Sequence, residues 1–279
     1  MFALLGIAGI LTGLAGSVWL VTAGVRGAPL GIVTGLRRPV QTMVGGAALA
    51  MLALEGALLA DDFSLEYVAN HHARATPFPF NVATGWAALE GSIVLWGLVL
   101  ALFTWFTHRS VLRHGKEGDR LGVGALAVLG VVAVFFFGLQ ATVADPFRVC
   151  TEAAANGCVA ASPLPWAAAQ APPDGPGPNP LLQNHILMAI HPPMLYLGFI
   201  GLTVPFAYAI SALALREGGV EWLRRSRRST LVAWTFLTTG IVLGAWWAYE
   251  VLSWGGYWGW DPVENASLMP WLIATAFLH

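Results

Sequence analysis

The chain has 279 residues, of which 57% are hydrophobic and only 10% are charged, and its mean hydropathy of +0.66 lies well outside the range of ordinary soluble domains. We therefore expect a lipid bilayer around most of the chain. The net charge of -1 excludes the broad basic surface that would attract nucleic acid through its phosphates, so we expect no nucleic acid among the partners.

Seven apolar segments follow one another along the chain, each long enough to cross a bilayer. Each should be a helix, because a backbone in lipid must satisfy its own hydrogen bonds. The first has no basic leader and no small-residue cleavage site, so it predicts a spanning helix rather than a secretory signal. The segments are residues 2–25, 39–60, 86–107, 121–143, 192–215, 230–250 and 262–279. The predicted fold class is all-α, a polytopic transmembrane bundle of about seven helices, and the chain ends inside the last of them.

The loops between these segments carry basic residues very unevenly. Twelve of the 14 lysines and arginines lie in the first, third and fifth loops, whereas the even-numbered loops hold only Arg74 and Arg148. Short cytoplasmic loops are the ones enriched in lysine and arginine. The pattern predicts a bacterial inner-membrane protein with its N-terminus outside and its long second and fourth loops, 61–85 and 144–191, on the outer face.

The fourth loop is rich in alanine, proline and glycine and would make a poor core, so we expect surface structure over the membrane. It contains the two cysteines of the chain, Cys150 and Cys158. In an oxidising compartment these favour a structural disulfide. A thiol pair that exchanges disulfides is the alternative, although it would require a tighter spacing beside a helix start.

Most of the seven histidines fall where a surface role is the simpler interpretation. His108 and His114 lie in a predicted basic cytoplasmic loop, and both should be solvated. His71 and His72 form a pair in the second loop that we expect to be exposed. For His185, in a short interfacial segment, the sequence favours no particular role.

His191 precedes two prolines, which changes its interpretation. The residue before a proline is disfavoured in helical conformation, and proline suits the first helical turn, so His191 should stand just outside the fifth helix at its external end. One interpretation is a capping histidine that points at water. The other is an axial ligand to an external haem, since a neutral imidazole commonly ligates haem iron.

Residues 247–272 interleave tryptophan with glycine just after the sixth predicted helix. The tryptophans are Trp247, Trp254, Trp258, Trp260 and Trp271, and the glycines are Gly255, Gly256 and Gly259. Tryptophans at a membrane interface ordinarily anchor the protein, but anchoring does not need three glycines. Flat aromatic faces spaced by glycine instead favour a surface on which an apolar macrocycle can lie.

The end of this segment predicts the start of the seventh helix. Asp261 suits the N-cap, Pro262 the first helical position and Glu264 the third, which together resemble a capping box. Asp261 could alternatively place a haem propionate, although capping is the more economical role.

Among the ionisable residues within predicted helices, three are functional candidates because of their depth in the membrane. His279 lies roughly 26 Å along the seventh helix from Pro262, too far for the same porphyrin to meet both ends. We therefore assign His279 to a separate, buried haem b, with a histidine at the inner interface as the alternative. Glu55 and Glu90, near the outer ends of the second and third helices, are weaker candidates.

Together these residues resemble a known family. WGGYWGWDPVENASLMPWL is similar to the tryptophan-rich WWD domain of the cytochrome c maturation haem lyases of the CcmF type. Further stretches resemble the same family in the same order: DFSLEYVA at 62–69, LEGSIVLW at 89–96, NPLLQ at 179–183 and HPPMLYLGF at 191–199. The resemblance spans residues 62–279. Together with the predicted helices, we expect three regions: a four-helix membrane segment (1–143), an external loop (144–191) and a haem-handling region (192–279) that holds the WWD loop (247–272).

The resemblance implies two haem sites. One holds a substrate haem on the outer face, with His191 as an iron ligand and the WWD surface around it formed by Trp247, Trp254, Gly255, Gly256, Trp258, Trp260 and Asp261. The other is a transmembrane haem b on His279. Family members are about twice this length, so the partner ligands would lie beyond this sequence. WAALEGS departs from the family, which usually has a histidine directly before the position of Glu90.

The implied activity is that of a haem lyase, which attaches haem through thioether bonds to the CxxCH motif of an apocytochrome c. The implied partners are a haem chaperone, the apocytochrome c, other cytochrome c maturation membrane subunits and quinol. Three rivals remain: a haem b quinol oxidoreductase subunit, in which the tryptophans are only a belt; a transporter of haem or lipid; and the related single-chain maturation pathway, which shares the WWD motif. A quinol oxidoreductase would need histidine pairs within the helices, and a transporter broken helices and midplane polar residues.

Overall fold

The chain forms helices along most of its length, together with one small β-hairpin, in a computed structural model that describes residues 1–114, 118–179, 184–252 and 256–279. The elements are α1 Phe2–Gly27, α2 Arg37–Leu59, α3 Glu66–His71, α4 Phe78–Ala87, α5 Leu89–His114, α6 Arg120–Gln140, β1 Val149–Ala154, β2 Gly157–Ser162, α7 Ile186–Gly201, α8 Thr203–Leu215, α9 Glu221–Val251 and α10 Pro262–Leu278.

Six helical stretches of the described chain are long and apolar enough to cross a membrane. They are Phe2–Leu30, Arg37–Leu59, Leu89–Arg113, Arg120–Gln140, Ile186–Leu215 and Glu221–Val251. The chain is thus a polytopic helical membrane protein, as its composition predicts. The seventh predicted segment is helical too, but α10 has only 17 residues, about 26 Å of helix against a hydrocarbon core of roughly 30 Å.

Two predicted cytoplasmic loops are partly helix. Helix α5 continues to His114, so His108 lies inside a helix and is only 3% exposed, and the prediction of a solvated loop histidine is wrong there. Helix α9 begins at Glu221 rather than near residue 230, which places Arg224 and Arg225 in its first turns. Hydropathy marks the lipid-facing part of a helix, whereas arginine, leucine and glutamate continue the helix past it because their helix propensity is high.

The described chain divides into two compact units that regroup segments distant in sequence. Unit 1 comprises residues 1–13, 45–98 and 136–189, and unit 2 comprises residues 14–44, 99–135 and 190–279. The division into three consecutive regions expected from sequence order remains a prediction. The core of unit 1 includes Ile10, Leu54, Leu58 and Phe147, each at most 1% exposed.

Unit 1 contains structure that the sequence was not expected to form. Strands β1 and β2 pair antiparallel as a hairpin within the fourth loop, and Leu65 forms an isolated bridge with Val149. The missed signal is the Asn156-Gly157 dipeptide, which is typical of tight hairpin turns, and Gly157 indeed has a φ of 117°. The predicted disulfide is confirmed, because Cys150 on β1 is bonded to Cys158 on β2.

Opening this disulfide should destabilise the protein measurably. In the Cys150→Ser/Cys158→Ser variant, we expect the free energy of unfolding to fall by about 2.5 kcal/mol, the loop-closure entropy of a cross-link this short. Thermal unfolding of the purified protein measures the change, and reduction of the unaltered protein should reproduce it. Equal transition temperatures for variant and parent would show that the hairpin is held by its backbone pairing alone.

The pair of histidines in the second loop is not exposed as expected. His72 is 1% exposed, and its Nε2 lies 2.7 Å from Asp61 Oδ1, while its ring stacks on Phe63. His71 is half-buried against Tyr67. Burial lowers the pKa of His71, against the opposing pull of the carboxylates of Glu90 and Glu66. Both side chains therefore belong to the packing of unit 1.

Unit 2 contains a buried ion pair between residues far apart in sequence. Asp119 and Arg225 are each 8% exposed in their side chains, and Arg225 Nη2 donates to Asp119 Oδ2 over 2.6 Å. Asp119 Oδ1 also accepts from the backbone N–H of Gly122, so the same carboxylate caps α6. The guanidinium of Arg225 lies over the ring of Tyr208. This contact joins the first turns of α9 to the start of α6.

Candidate functional site

Helices α7 and α9 approach each other closely through glycine. A β-carbon at Gly240 would lie 2.7 Å from the backbone nitrogen of Leu195, and one at Gly198 would lie 2.7 Å from that of Leu237. The two helices run antiparallel, since lower numbers on α7 face higher numbers on α9. Without a hydrophobic driving force in lipid, such backbone contact through small residues is what holds membrane helices together. We call the contact between α7 and α9 the glycine seam.

His191 lies at one end of the glycine seam and is part of α7. The expectation that it stands outside the helix is wrong, because α7 begins at Ile186 and includes Pro192 and Pro193. Both prolines lie inside α7 rather than in its first turn, and each removes one intrahelical hydrogen bond, a loss that membrane helices offset through neighbouring helices and local adjustment. The start itself is capped by His185, whose Nδ1 accepts from the backbone N–H of Leu187 over 3.2 Å.

The imidazole of His191 packs against an indole on the facing helix. Its ring centroid lies 5.5 Å from that of Trp247, with 32° between the ring planes, and His191 is only 8% exposed. The ring fits because the facing position is glycine: a β-carbon at Gly244 would lie 3.3 Å from His191 Cδ2. The structure thus brings two of the predicted site residues, His191 and Trp247, into ring contact.

The loop after α9 presents further aromatic rings. Trp254 and Gly255 lie outside the described residues. Trp258 and Trp260 meet edge to face, with centroids 5.9 Å apart and planes at 86°. Trp260 is 68% exposed and has a φ of 57°, and Gly256 has a φ of 60°, a conformation in which glycine carries no steric penalty. The loop thus turns twice in the left-handed region and leaves an indole face open.

Glu264 ties this loop to the start of α10. The predicted capping box is confirmed: Asp261 Oδ1 accepts from the backbone N–H of Glu264 over 2.7 Å, and Glu264 Oε2 accepts from that of Asp261 over 3.2 Å. Glu264 Oε2 accepts in addition from Gly259 N over 2.8 Å. The carboxylate of Asp261 therefore caps the helix, and Glu264 reaches back to hold the backbone beside Trp260.

His279 is placed by a network between α9 and α10 that sequence reasoning missed. Trp234 Nε1 donates to Thr275 Oγ1, and Trp271 Nε1 donates to Thr238 Oγ1, each over 2.8 Å, while the two indoles stack. The missed signal is a repeated tryptophan-x-x-x-threonine spacing, 234–238 and 271–275. His279 Nδ1 lies 2.9 Å from the carbonyl oxygen of Thr275. An Nδ1–H donated to that carbonyl leaves the lone pair on Nε2, the form in which imidazole ligates a metal.

Glu55 and Glu90 are not brought to these rings. Glu55 lies in α2 in unit 1, beside Gly85, and both carboxylate oxygens are buried without a hydrogen-bond partner among the described residues. Glu90 is half-buried in the first turn of α5. No haem ligation follows from either position.

The donors present fit a haem at both predicted positions by their chemistry. His191 offers an imidazole beside an indole face, and His279 offers an imidazole oriented by a backbone carbonyl.

Comparison with known proteins identifies the family. The family model described as "Cytochrome C assembly protein" matches residues 86–279. The chain is 44% identical over 232 residues to the cytochrome c-type biogenesis protein CcmF of Pseudomonas aeruginosa, and 36% identical over 282 residues to that of Haemophilus influenzae. These alignments cover 83% and 100% of this chain and 32% and 40% of the relatives.

A solved structure described as "Cytochrome c Heme Lyase CcmF" matches the fold with a TM-score of 0.80 and 42% identity, covering 100% of this chain and 41% of that one. The chain thus spans about a third to two fifths of the length of the proteins it resembles. On these matches, the chain belongs to the cytochrome c assembly protein family and is similar within it to proteins of the CcmF type.

Proposed function

We propose that this chain forms part of a haem lyase of cytochrome c maturation, which holds a substrate haem at the outer membrane face for attachment to the CxxCH motif of an apocytochrome c. One observation carries the proposal: the buried imidazole of His191 packs on Trp247, over a glycine on α9, and α9 leads into the loop that exposes the indole of Trp260. Membership of the cytochrome c assembly family supports it.

The reaction balances without a nucleophile from this chain. A thiol of the apocytochrome adds across a haem vinyl group, so that one carbon–sulfur bond forms and the thiol proton moves to the other vinyl carbon. Both cysteines of the chain are bonded to each other and take no part. The contribution of the protein is to hold the reacting groups in a productive orientation, which raises their effective concentration.

The residues of the site divide this work. His191 would ligate the haem iron, while Trp247, Trp258, Trp260 and Gly256 would contribute the described part of the surface against which the macrocycle packs. Asp261 and Glu264 keep the loop in its turned conformation, which sets where Trp260 faces.

His279 would hold a haem b of the membrane interior, with its partner ligand from residues beyond this chain. When bound, that haem supplies electrons that keep the iron of the substrate haem reduced. Thr275 orients the imidazole of His279 through its backbone carbonyl, and Trp234 holds Thr275 through its hydroxyl.

The proposed setting is the bacterial inner membrane, with the N-terminus and the WWD loop outside. The uneven distribution of arginine and lysine between alternate loops supports this orientation. The proposed partners are a haem chaperone, the apocytochrome c, other maturation subunits and quinol.

Replacement of His191 tests the proposal directly. His191→Phe keeps a ring of similar volume on Trp247 but cannot ligate iron, and His191→Gly leaves a ring-sized space. We expect both to weaken reduced haem binding to the protein in nanodiscs by roughly tenfold or more, measured by absorption titration. Added imidazole should restore the iron spectrum in His191→Gly and not in His191→Phe.

His279→Phe is the matched control for these variants. It should leave unchanged the haem binding that is weakened in the His191 variants, and it should remove only the haem b signal. An unaltered titration in His191→Phe would remove the basis for the proposed outer site, whatever the behaviour of His279→Phe.

A further inference from the structure

A cavity of about 350 Å³ lies in unit 2, away from the rings described above. It is lined by Arg37 and Gln41 at the start of α2 and by Trp105, His108, Arg109, Leu112 and Arg113 in the last turns of α5. Among the described residues that line it, there are three arginines and no carboxylate. The positive charge of this cavity is therefore not balanced by its own walls.

A buried histidine in the wall lacks a partner. His108 is 3% exposed, and its Nε2 is buried without a hydrogen-bond partner within the described chain. A buried polar atom without a partner costs free energy unless something that enters the cavity satisfies it. An oxyanion would accept a hydrogen bond from Nε2–H and would at the same time meet the three guanidinium groups.

The walls are also preorganised for an anion. The guanidinium of Arg109 lies 4.2 Å from the centroid of the Trp105 ring, which holds it in place. Arg37 is the first residue of α2, a helix of 23 residues whose positive dipole end lies at the same point. Within the described residues, no carboxylate forms an ion pair with Arg37, Arg109 or Arg113.

The position of the cavity indicates that the anion is the headgroup of a lipid. The apolar span of α2 begins at Arg37 and that of α5 ends at Arg113, so the cavity lies at a membrane surface. On α5, Leu102 and Phe106 are exposed, at 38% and 59%, and they lie on the same helix face as Arg109 and Arg113. An acyl chain could run along this apolar stripe while its headgroup occupies the basic cavity.

We propose that this cavity is a binding site for the phosphate group of an anionic phospholipid. The three arginines neutralise the phosphate, His108 donates a hydrogen bond to one of its oxygens, and Leu102 and Phe106 contact the acyl chain. This lipid site depends neither on the proposed haem site nor on the orientation of the chain in the membrane.

Lipid titration of the detergent-purified protein tests the site. We expect phosphatidylglycerol to raise the thermal unfolding temperature and to remain bound in native mass spectrometry, whereas phosphatidylcholine does neither. In Arg109→Gln/Arg113→Gln the affinity for phosphatidylglycerol should fall roughly 30-fold, since each basic residue near a lipid surface contributes about a factor of five. His108→Leu, which keeps the wall apolar, should also weaken binding.

The control is Arg38→Gln, which removes an exposed arginine of the same helix turn that does not line the cavity. It should keep full affinity. Equal affinity in Arg109→Gln/Arg113→Gln and in Arg38→Gln would overturn the site. Stabilisation by inorganic phosphate alone, without any effect of phosphatidylglycerol, would overturn the lipid as the ligand.

Discussion

The substitution Gly240→Leu is expected to destabilise the protein by about 3 kcal/mol or more and to abolish binding at the proposed outer haem site. A β-carbon there would lie 2.7 Å from the backbone nitrogen of Leu195, so the collision cannot be relieved by a side-chain rotation. Overpacking of a close contact typically costs 1–3 kcal/mol, and more when backbone must move. Helices α7 and α9 would have to separate, which carries His191 away from Trp247.

Two measurements separate these effects. Denaturation of the purified protein reports the loss of stability, and absorption titration with reduced haem reports the loss of binding. Gly138→Leu is the matched control, because a β-carbon at Gly138 meets nothing within 4 Å. Undiminished haem affinity in Gly240→Leu would mean that the glycine seam does not position the site.

Removal of the carboxylate of Asp119 is expected to cost about 3–5 kcal/mol of unfolding free energy. The loss leaves the guanidinium of Arg225 buried without its counter-charge, and a buried charge without a partner is far more costly than an absent ion pair. Asp119→Ala also removes the acceptor for Gly122 N at the start of α6. Chemical denaturation in detergent measures the change.

An exposed arginine of the same helix provides the comparison. Arg224 pairs with Glu221 while 76% exposed in its side chain, and such surface pairs contribute little. Arg224→Ala should therefore change stability by less than about 0.5 kcal/mol. In the double variant Asp119→Leu/Arg225→Met, most of the lost unfolding free energy should be regained, because neither charge remains in the buried site. Equal effects of Asp119→Ala and Arg224→Ala would show that the pair is not buried in solution.

The sequence predicted those parts of the fold that depend on local chemistry. Apolar length alone located the spanning helices, because backbone in lipid has few alternatives. The capping box of Asp261 and Glu264 was also predictable, because its two partners are only three residues apart in sequence. The hairpin was not predicted, because the alanine, proline and glycine content of the fourth loop is typical of irregular surface structure and only one Asn-Gly dipeptide signals a tight turn.

The contacts of the site depended on tertiary packing and could be predicted only in part. His191 and Trp247 were predicted as site residues from the sequence. The position of Gly244 under the imidazole could not be predicted, because it depends on how α7 packs against α9. The pairing of Asp119 with Arg225 joins residues 106 positions apart, and nothing local marks it. His191 was predicted to lie outside the helix because a pair of prolines normally lies at a helix start. Here residues 186–191 of α7 precede the two prolines.

The bond between Cys150 and Cys158 has a consequence for the chemistry of the compartment. Under the proposed function, the cysteines of the client apocytochrome c must remain thiols until they react with haem. They do so in the same compartment in which this hairpin must keep its disulfide. Thiol–disulfide exchange requires a thiolate to reach a sulfur; Cys150 is fully buried, whereas Cys158 is partly exposed. Attack on the sulfur of Cys150 is thus blocked, so that a reductant that serves the client can open the hairpin only through the sulfur of Cys158.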